Sequence, residues 1–134
     1  MRILVVDDNR DILELIRRVL WAEGHDVVLA RDGLEALQQE LATQPDLVVL
    51  DVNLPVLNGW EVCQRIKARR NVPVMLLTVR AEHADLERSR EAGADDHLPK
   101  PFEIGEFLKR IANIAAGAGG IPPHPLYYND RPTN

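Results

Sequence analysis

The chain has 134 residues, 46% of them hydrophobic and 28% charged, with a net charge of -5 and a pI near 5.3. That length suits one domain burying roughly two thirds of its surface, and the composition excludes both a disordered polyampholyte and a membrane protein. The acidic balance argues against a surface that tracks nucleic-acid phosphates, which needs clustered Lys and Arg.

The N-terminus, MRILVVDDNR, carries only four consecutive apolar residues before two aspartates. That is too short for a signal peptide or a membrane span, so a cytoplasmic protein is expected. Ile3–Val6 reads as a first buried strand. Ile12, Leu13, Ile16, Val19 and Leu20 then recur on one stripe at helical spacing. Val27–Ala30 is the second strand, followed by a helix whose stripe is Leu34, Leu37 and Leu41. Leu47–Leu50 is the third strand, and Asn58-Gly59 is a turn or cap before a helix over about 58–69. Val72–Leu77 is the fourth strand and 82–92 the fourth helix. A weaker strand at Asp96–Leu98 suits a sheet edge, and a helix over 103–115 ends the pattern. Cys63, the lone cysteine, has no internal disulfide partner and reads as a small core or half-buried residue.

Five strands alternating with five helices predict an α/β domain, a doubly wound parallel sheet with right-handed crossovers and both faces covered. The strands lack polar alternation, which fits burial on both faces. From Gly117 the composition shifts to Gly-Ala-Gly-Gly and Ile-Pro-Pro-His-Pro, a linker or tail in which Leu126, Tyr127 and Tyr128 are the residues able to dock locally. The expected division is a domain over 1–116 and a flexible tail over 117–134.

Parallel strands point one way, so the residues just after them gather on one edge, where open α/β folds bind ligands. Asp7, Asp8 and Asn9 follow the first strand, Asp51 the third, Thr78 the fourth and Lys100 the fifth. Crowded carboxylates repel one another and raise each other's pKa unless a cation is present, and Mg²⁺ takes one or two carboxylates plus a phosphate oxygen. Asp8 and Asp51 would bind it directly, Asp7 through water, with the backbone carbonyl of Asn53 as a further ligand. Lys100 would weaken a site built for a cation alone, so an anion is implied. A phosphoryl group on Asp51 accounts for all five side chains, with Thr78 donating to one oxygen and Lys100 neutralising another. Singly, each residue is ordinary loop chemistry, and Asp8 or Asn9 could merely cap a helix; together they end four different strands.

These residues resemble the receiver domain of two-component response regulators from about Arg2 to Ala115, through ILVVDDN at 3–9, PDLVVLDVNLPVLNGWE at 45–61, PVMLLTVRA at 73–81 and GADDHLPKPF at 93–102. The resemblance implies a flavodoxin-like, CheY-like strand order of 2-1-3-4-5. It also implies Mg²⁺ held at Asp7, Asp8 and Asp51, and transfer to Asp51 from a sensor histidine kinase or phosphotransfer protein. Thr78 and Lys100 become phosphoryl-sensing residues, and Lys100-Pro101 a cis peptide. Such a protein is a phosphorylation-controlled switch, and its catalysis is confined to its own modification.

Three positions depart from the usual family pattern. His97 stands where relatives carry a Tyr or Phe that swings inward. Its plain reading is a solvated residue at the sheet edge; a specialised reading has imidazole ionisation, near pH 6.5 when unperturbed, bias the switch. Val79 replaces a smaller residue beside the route to Asp51 and predicts slow phosphorylation by small donors, and Arg80 is close enough to influence the same group. Asp95, Asp96 and Arg110 resemble the dimerisation face, made by the fourth helix, fifth strand and fifth helix, of receivers of the OmpR/PhoB type, with an Asp96–Arg110 pair between subunits; solvated surface charge is the alternative. His25, His83 and His124 read as surface residues. A phosphohydrolase with an aspartyl-phosphate intermediate would need a second acid where Asn53 stands and a cap over its substrate. An unphosphorylated scaffold would be expected to have lost Asp51, Asp8 or Lys100.

Overall fold

Branched aliphatic runs with both faces apolar form the strands of one parallel sheet, joined by amphipathic helices. The computed structural model describes residues 1–79 and 83–117, with the backbone alone at positions 83 and 84. The order is β1 (Arg2–Val6), α1 (Arg10–Ala22), β2 (Asp26–Ala30), α2 (Gly33–Thr43), β3 (Leu47–Asp51), α3 (Gly59–Arg69), β4 (Val74–Thr78), α4 (His83–Glu91), β5 (Asp96–Pro99) and α5 (Ile104–Ala115). The strands lie in the order β2-β1-β3-β4-β5, as the family resemblance implies. The expected tail, with Leu126, Tyr127, Tyr128 and His124, falls outside the described residues, as do Arg80 and the His83 side chain.

Successive strand residues point to opposite faces, which divides the core in two. Leu4, Val6, Val48, Leu50 and Leu76 meet Val62, Cys63 and Ile66 of α3 on one face. Ile3, Val5, Val49, Met75 and Leu77 meet Leu13, Ile16 and Leu20 of α1 and Phe107 and Ile111 of α5 on the other. Each fully buried side chain of this size contributes about 1.5–3 kcal/mol relative to exposure. β4 begins at Val74, two residues later than the apolar run suggests, after Pro73, which has no N–H to donate to a ladder.

The stripe expected on α2 is corrected. Leu34 and Leu41 are exposed, whereas Gly33, Ala36 and Glu40 are buried. Small residues let α2 approach α3 closely, and the Glu40 carboxylate accepts hydrogen bonds from both Arg69 and Arg70 at the end of α3. Side-chain caps start three helices: Asn9 accepts from the N–H groups of Asp11 and Ile12, Asp32 from Glu35, and Asn58 from Glu61.

Candidate functional site

The parallel register brings the ends of β1, β3 and β4 to one edge, with Asp51 opposite Leu77 and Thr78 opposite Pro99. Asp7 is buried; its Oδ1 accepts from the Asn9 N–H at 2.9 Å and its Oδ2 from Lys100 Nζ at 3.0 Å. Asp51, 3% exposed, accepts from the Asn53 N–H at 3.2 Å and has its Oδ2 3.4 Å from the same ammonium. Thr78 is buried beside them, while Asp8 and Asn53 are exposed at the mouth. Asn9 caps α1, so the capping alternative holds for Asn9.

Gly59 explains how α3 closes against this edge. A Cβ there would lie 2.4 Å from the Asp51 carbonyl oxygen and 2.6 Å from Val52 Cα, so only glycine permits the approach. The Lys100–Pro101 peptide is cis, as the resemblance implies.

Burial raises the Asp51 pKa above the ordinary aspartate value, the Asp7 carboxylate raises it further, and Lys100 opposes both. Burial alone would depress Lys100, yet its hydrogen bond to Asp7 and the nearby charge of Asp51 outweigh burial and raise it. A buried acid pair strapped by one ammonium is therefore short of positive charge. One oxygen from each of Asp7, Asp8 and Asp51 lies within 4.8 Å of the others, a hard, all-oxygen donor set that fits Mg²⁺. An apolar groove of about 520 Å³ adjoins Lys100, lined by Ile12, Leu15, Val79, Pro101 and Phe102. Sequence reasoning missed it: Leu15 and Val79 of its lining are 50% and 57% exposed, which apolar spacing alone does not reveal.

The response regulator receiver domain family matches residues 3–112. The chain belongs to that family. The receiver domain is 46% identical over 112 residues to response regulator MprA of Mycobacterium avium (strain 104) and, over the same length, to MprA of Mycobacterium leprae (strain TN). Each match takes 83% of this chain and 49% of the relative, so the chain spans about half the length of the curated relatives it matches. Among solved structures, a CheY-like response regulator receiver domain protein from Methanospirillum hungatei JF-1 superposes with TM-score 0.82 at 29% identity, covering 87% of this chain and 94% of that one. The BeF3-activated N-terminal receiver domain of Klebsiella pneumoniae RstA gives TM-score 0.80 at 29% identity, covering 84% and 96%. No helix among the described residues is long and apolar enough to cross a membrane.

Two expectations for the receiver domain are corrected. His97 is not solvated: only 1% of it is exposed, and its Nδ1 lies 2.8 Å from Ser89 Oγ. A polar side chain on an edge strand suggests solvent, but Ser89 of α4 meets the imidazole and Arg110 of α5 meets the His97 carbonyl, so both helices fold over β5 here. Asp96 is not a solvated surface charge either: it is 4% exposed and pairs with Arg110 of the same chain at 2.8 Å. Asp95 is likewise held internally, by Lys67 at 2.8 Å and by the Val74 N–H. His25 is half-buried, with Nδ1 3.1 Å from the N-terminal ammonium. Cys63 is buried as expected, and burial pushes its thiol pKa up to about 12.

Proposed function

We propose that Asp51 accepts a phosphoryl group from the phosphohistidine of a sensor histidine kinase or phosphotransfer protein, in a Mg²⁺-dependent reaction that switches partner binding or dimerisation. The observation that carries this reading is the meeting of Asp7, Asp8 and Asp51 with Lys100 and Thr78 at one sheet edge. Asp7, Asp8, Asp51 and the Asn53 carbonyl would hold Mg²⁺, which supplies charge neutralisation to the phosphoryl oxygens.

The chain's own groups supply the rest. An Asp51 carboxylate oxygen attacks phosphorus, the phosphorus–nitrogen bond of the donor breaks, and the departing imidazole keeps the bonding pair and takes up a proton. The product is an acyl phosphate on Asp51. Lys100, freed from strapping two carboxylates, neutralises one oxygen, and the Thr78 hydroxyl donates to another. Removal of the phosphoryl group would be its only other catalysis. The apolar groove beside Lys100 suits the apolar surface around a donor histidine. The switched face would be that of α4, β5 and α5, with no membrane and no nucleic acid among its direct partners, and the setting cytoplasmic. In this reading residues 1–116 act as the unit and 117–134 as its tail.

Incubation with acetyl phosphate and Mg²⁺ should add about 80 Da to the intact mass. The gain should vanish with a chelator and in Asp51→Asn. An equal gain in Asp51→Asn, or none in the native chain, would refute the proposal.

A further inference from the structure

Among the described residues outside the acidic edge, the buried polar side chains are Glu40, Asp96, Ser89 and His97. Glu40 and Asp96 are ion-paired. Among the described residues, His97 alone keeps a buried side-chain atom, Nε2, with no hydrogen-bond partner. Its other nitrogen joins a chain across three elements. Nδ1 is 2.8 Å from Ser89 Oγ on α4, and that oxygen accepts from Trp60 Nε1 on α3 at 3.0 Å. The same hydroxyl lies 3.1 Å from the Asp85 carbonyl, and the Arg88 guanidinium sits 3.8 Å over the Trp60 ring.

Ser89 has one proton to give. If it goes to the Asp85 carbonyl, His97 donates through Nδ1 and its Nε2 lone pair is left bare; if it goes to Nδ1, the proton on Nε2 is left bare. Neither tautomer satisfies the ring, and an imidazolium would add a charge and a donor without an acceptor. The surrounding charges do not rescue it. Asp85 of α4 favours the imidazolium, but Arg110 of α5, which donates to the His97 carbonyl at 3.1 Å, opposes it. Asp96 of β5 is engaged by Arg110 and by the His97 N–H, and the described neighbours from α3 and β4, Trp60 and Leu76, carry no charge. Burial dominates and pushes the imidazole pKa down to about 4. Among the described residues β5 is the last strand of the sheet, and none of their strands lies on its outer side to block the ring from turning outward.

We propose that His97 is a proton-operated latch: neutral, it lies buried against Ser89 and ties β5 to α4 and, through Trp60, to α3; protonated, it turns out past the sheet edge and frees α4. The latch rests on the receiver fold and not on phosphoryl transfer at Asp51. Its test is run without Mg²⁺ or phosphodonor, so the two readings fail separately.

Trp21→Phe leaves Trp60 as the single indole of the chain. Its emission is followed from pH 7.5 to 4, with the His97 ring resonances and far-UV circular dichroism recorded in parallel. The expected result is one step in Trp60 emission with a midpoint between about 4 and 6.5, the latched-to-released ratio changing by up to tenfold per pH unit. His97 should titrate with the same midpoint while helix content stays constant, and His97→Phe, an uncharged ring of similar size, should abolish the step. A flat Trp60 signal, a step retained in His97→Phe, His97 titration near 6.5 without a Trp60 response, or a step coincident with loss of helix would each overturn the latch.

Discussion

Val56, in the loop from β3 to α3, is 75% exposed and held at φ 73°, where a β-branched residue is strained. Val56→Gly should therefore raise stability by about 1 kcal/mol in urea unfolding, the relief of strain exceeding the extra backbone entropy glycine brings to the unfolded chain. Pro55-Val56 announces no such backbone, whereas Asn58-Gly59 does signal a cap, and the structure delivers one. Val79→Ala should open the mouth beside Lys100 and speed phosphorylation by acetyl phosphate severalfold, read as the rate of mass gain; an unchanged rate would show that Val79 does not narrow the route. Asp51 carries a pH signature. Burial and Asp7 raise its folded pKa above the unfolded value of 3.8, so the folded state retains a proton the unfolded state has lost, and stability falls as pH rises through that window. Asp51→Asn should accordingly melt at a higher temperature than the native chain at pH 7, with the gap narrowing as pH falls toward 3.8.

At the scale of elements, α2 shows where apolar spacing misleads. Leu34, Leu37 and Leu41 satisfy helical periodicity, yet of the three Leu37 alone packs against the core, and the buried residues of α2 are Gly33, Ala36 and Glu40. Close packing selects small residues there, and the buried acid is stable only because two arginines meet it, a pairing that sequence separation conceals. Burial alone would raise the Glu40 pKa, but Arg70 and Arg69 outweigh it and hold the carboxylate below its usual range. Glu40 thus contributes stability that is present above about pH 4.5 and lost as pH falls through its folded pKa. Glu40→Ala should cost about 2 kcal/mol, less than the roughly 3–5 kcal/mol of a fully buried pair, because Arg69 and Arg70 are 42% and 36% exposed and can rehydrate. It should also remove part of the acid-side loss in a series of unfolding curves. β5 was legible as an edge strand, but its contacts were not: His97 and Asp96 are polar residues whose burial depends on α4 and α5 folding over them.

For the whole molecule, parallel topology does most to make function legible. A sheet buried on both faces writes apolar runs into the sequence, and each run ends where the chain turns at one rim. Asp7, Asp8, Asp51, Thr78 and Lys100 could be placed together from that rule alone, while the strand order came only from family resemblance. The distances and burial give that placement its geometry: Lys100 spans Asp7 and Asp51 at 3.0 and 3.4 Å, and Gly59 lets α3 close against the strand that ends in Asp51. The most direct test is chemical location of the modification. After incubation with a phosphodonor and Mg²⁺, borohydride reduction of the acyl phosphate followed by peptide sequencing in a mass spectrometer should find homoserine at position 51. Homoserine at position 7 or 8 instead, or no reduced residue anywhere, would contradict the account.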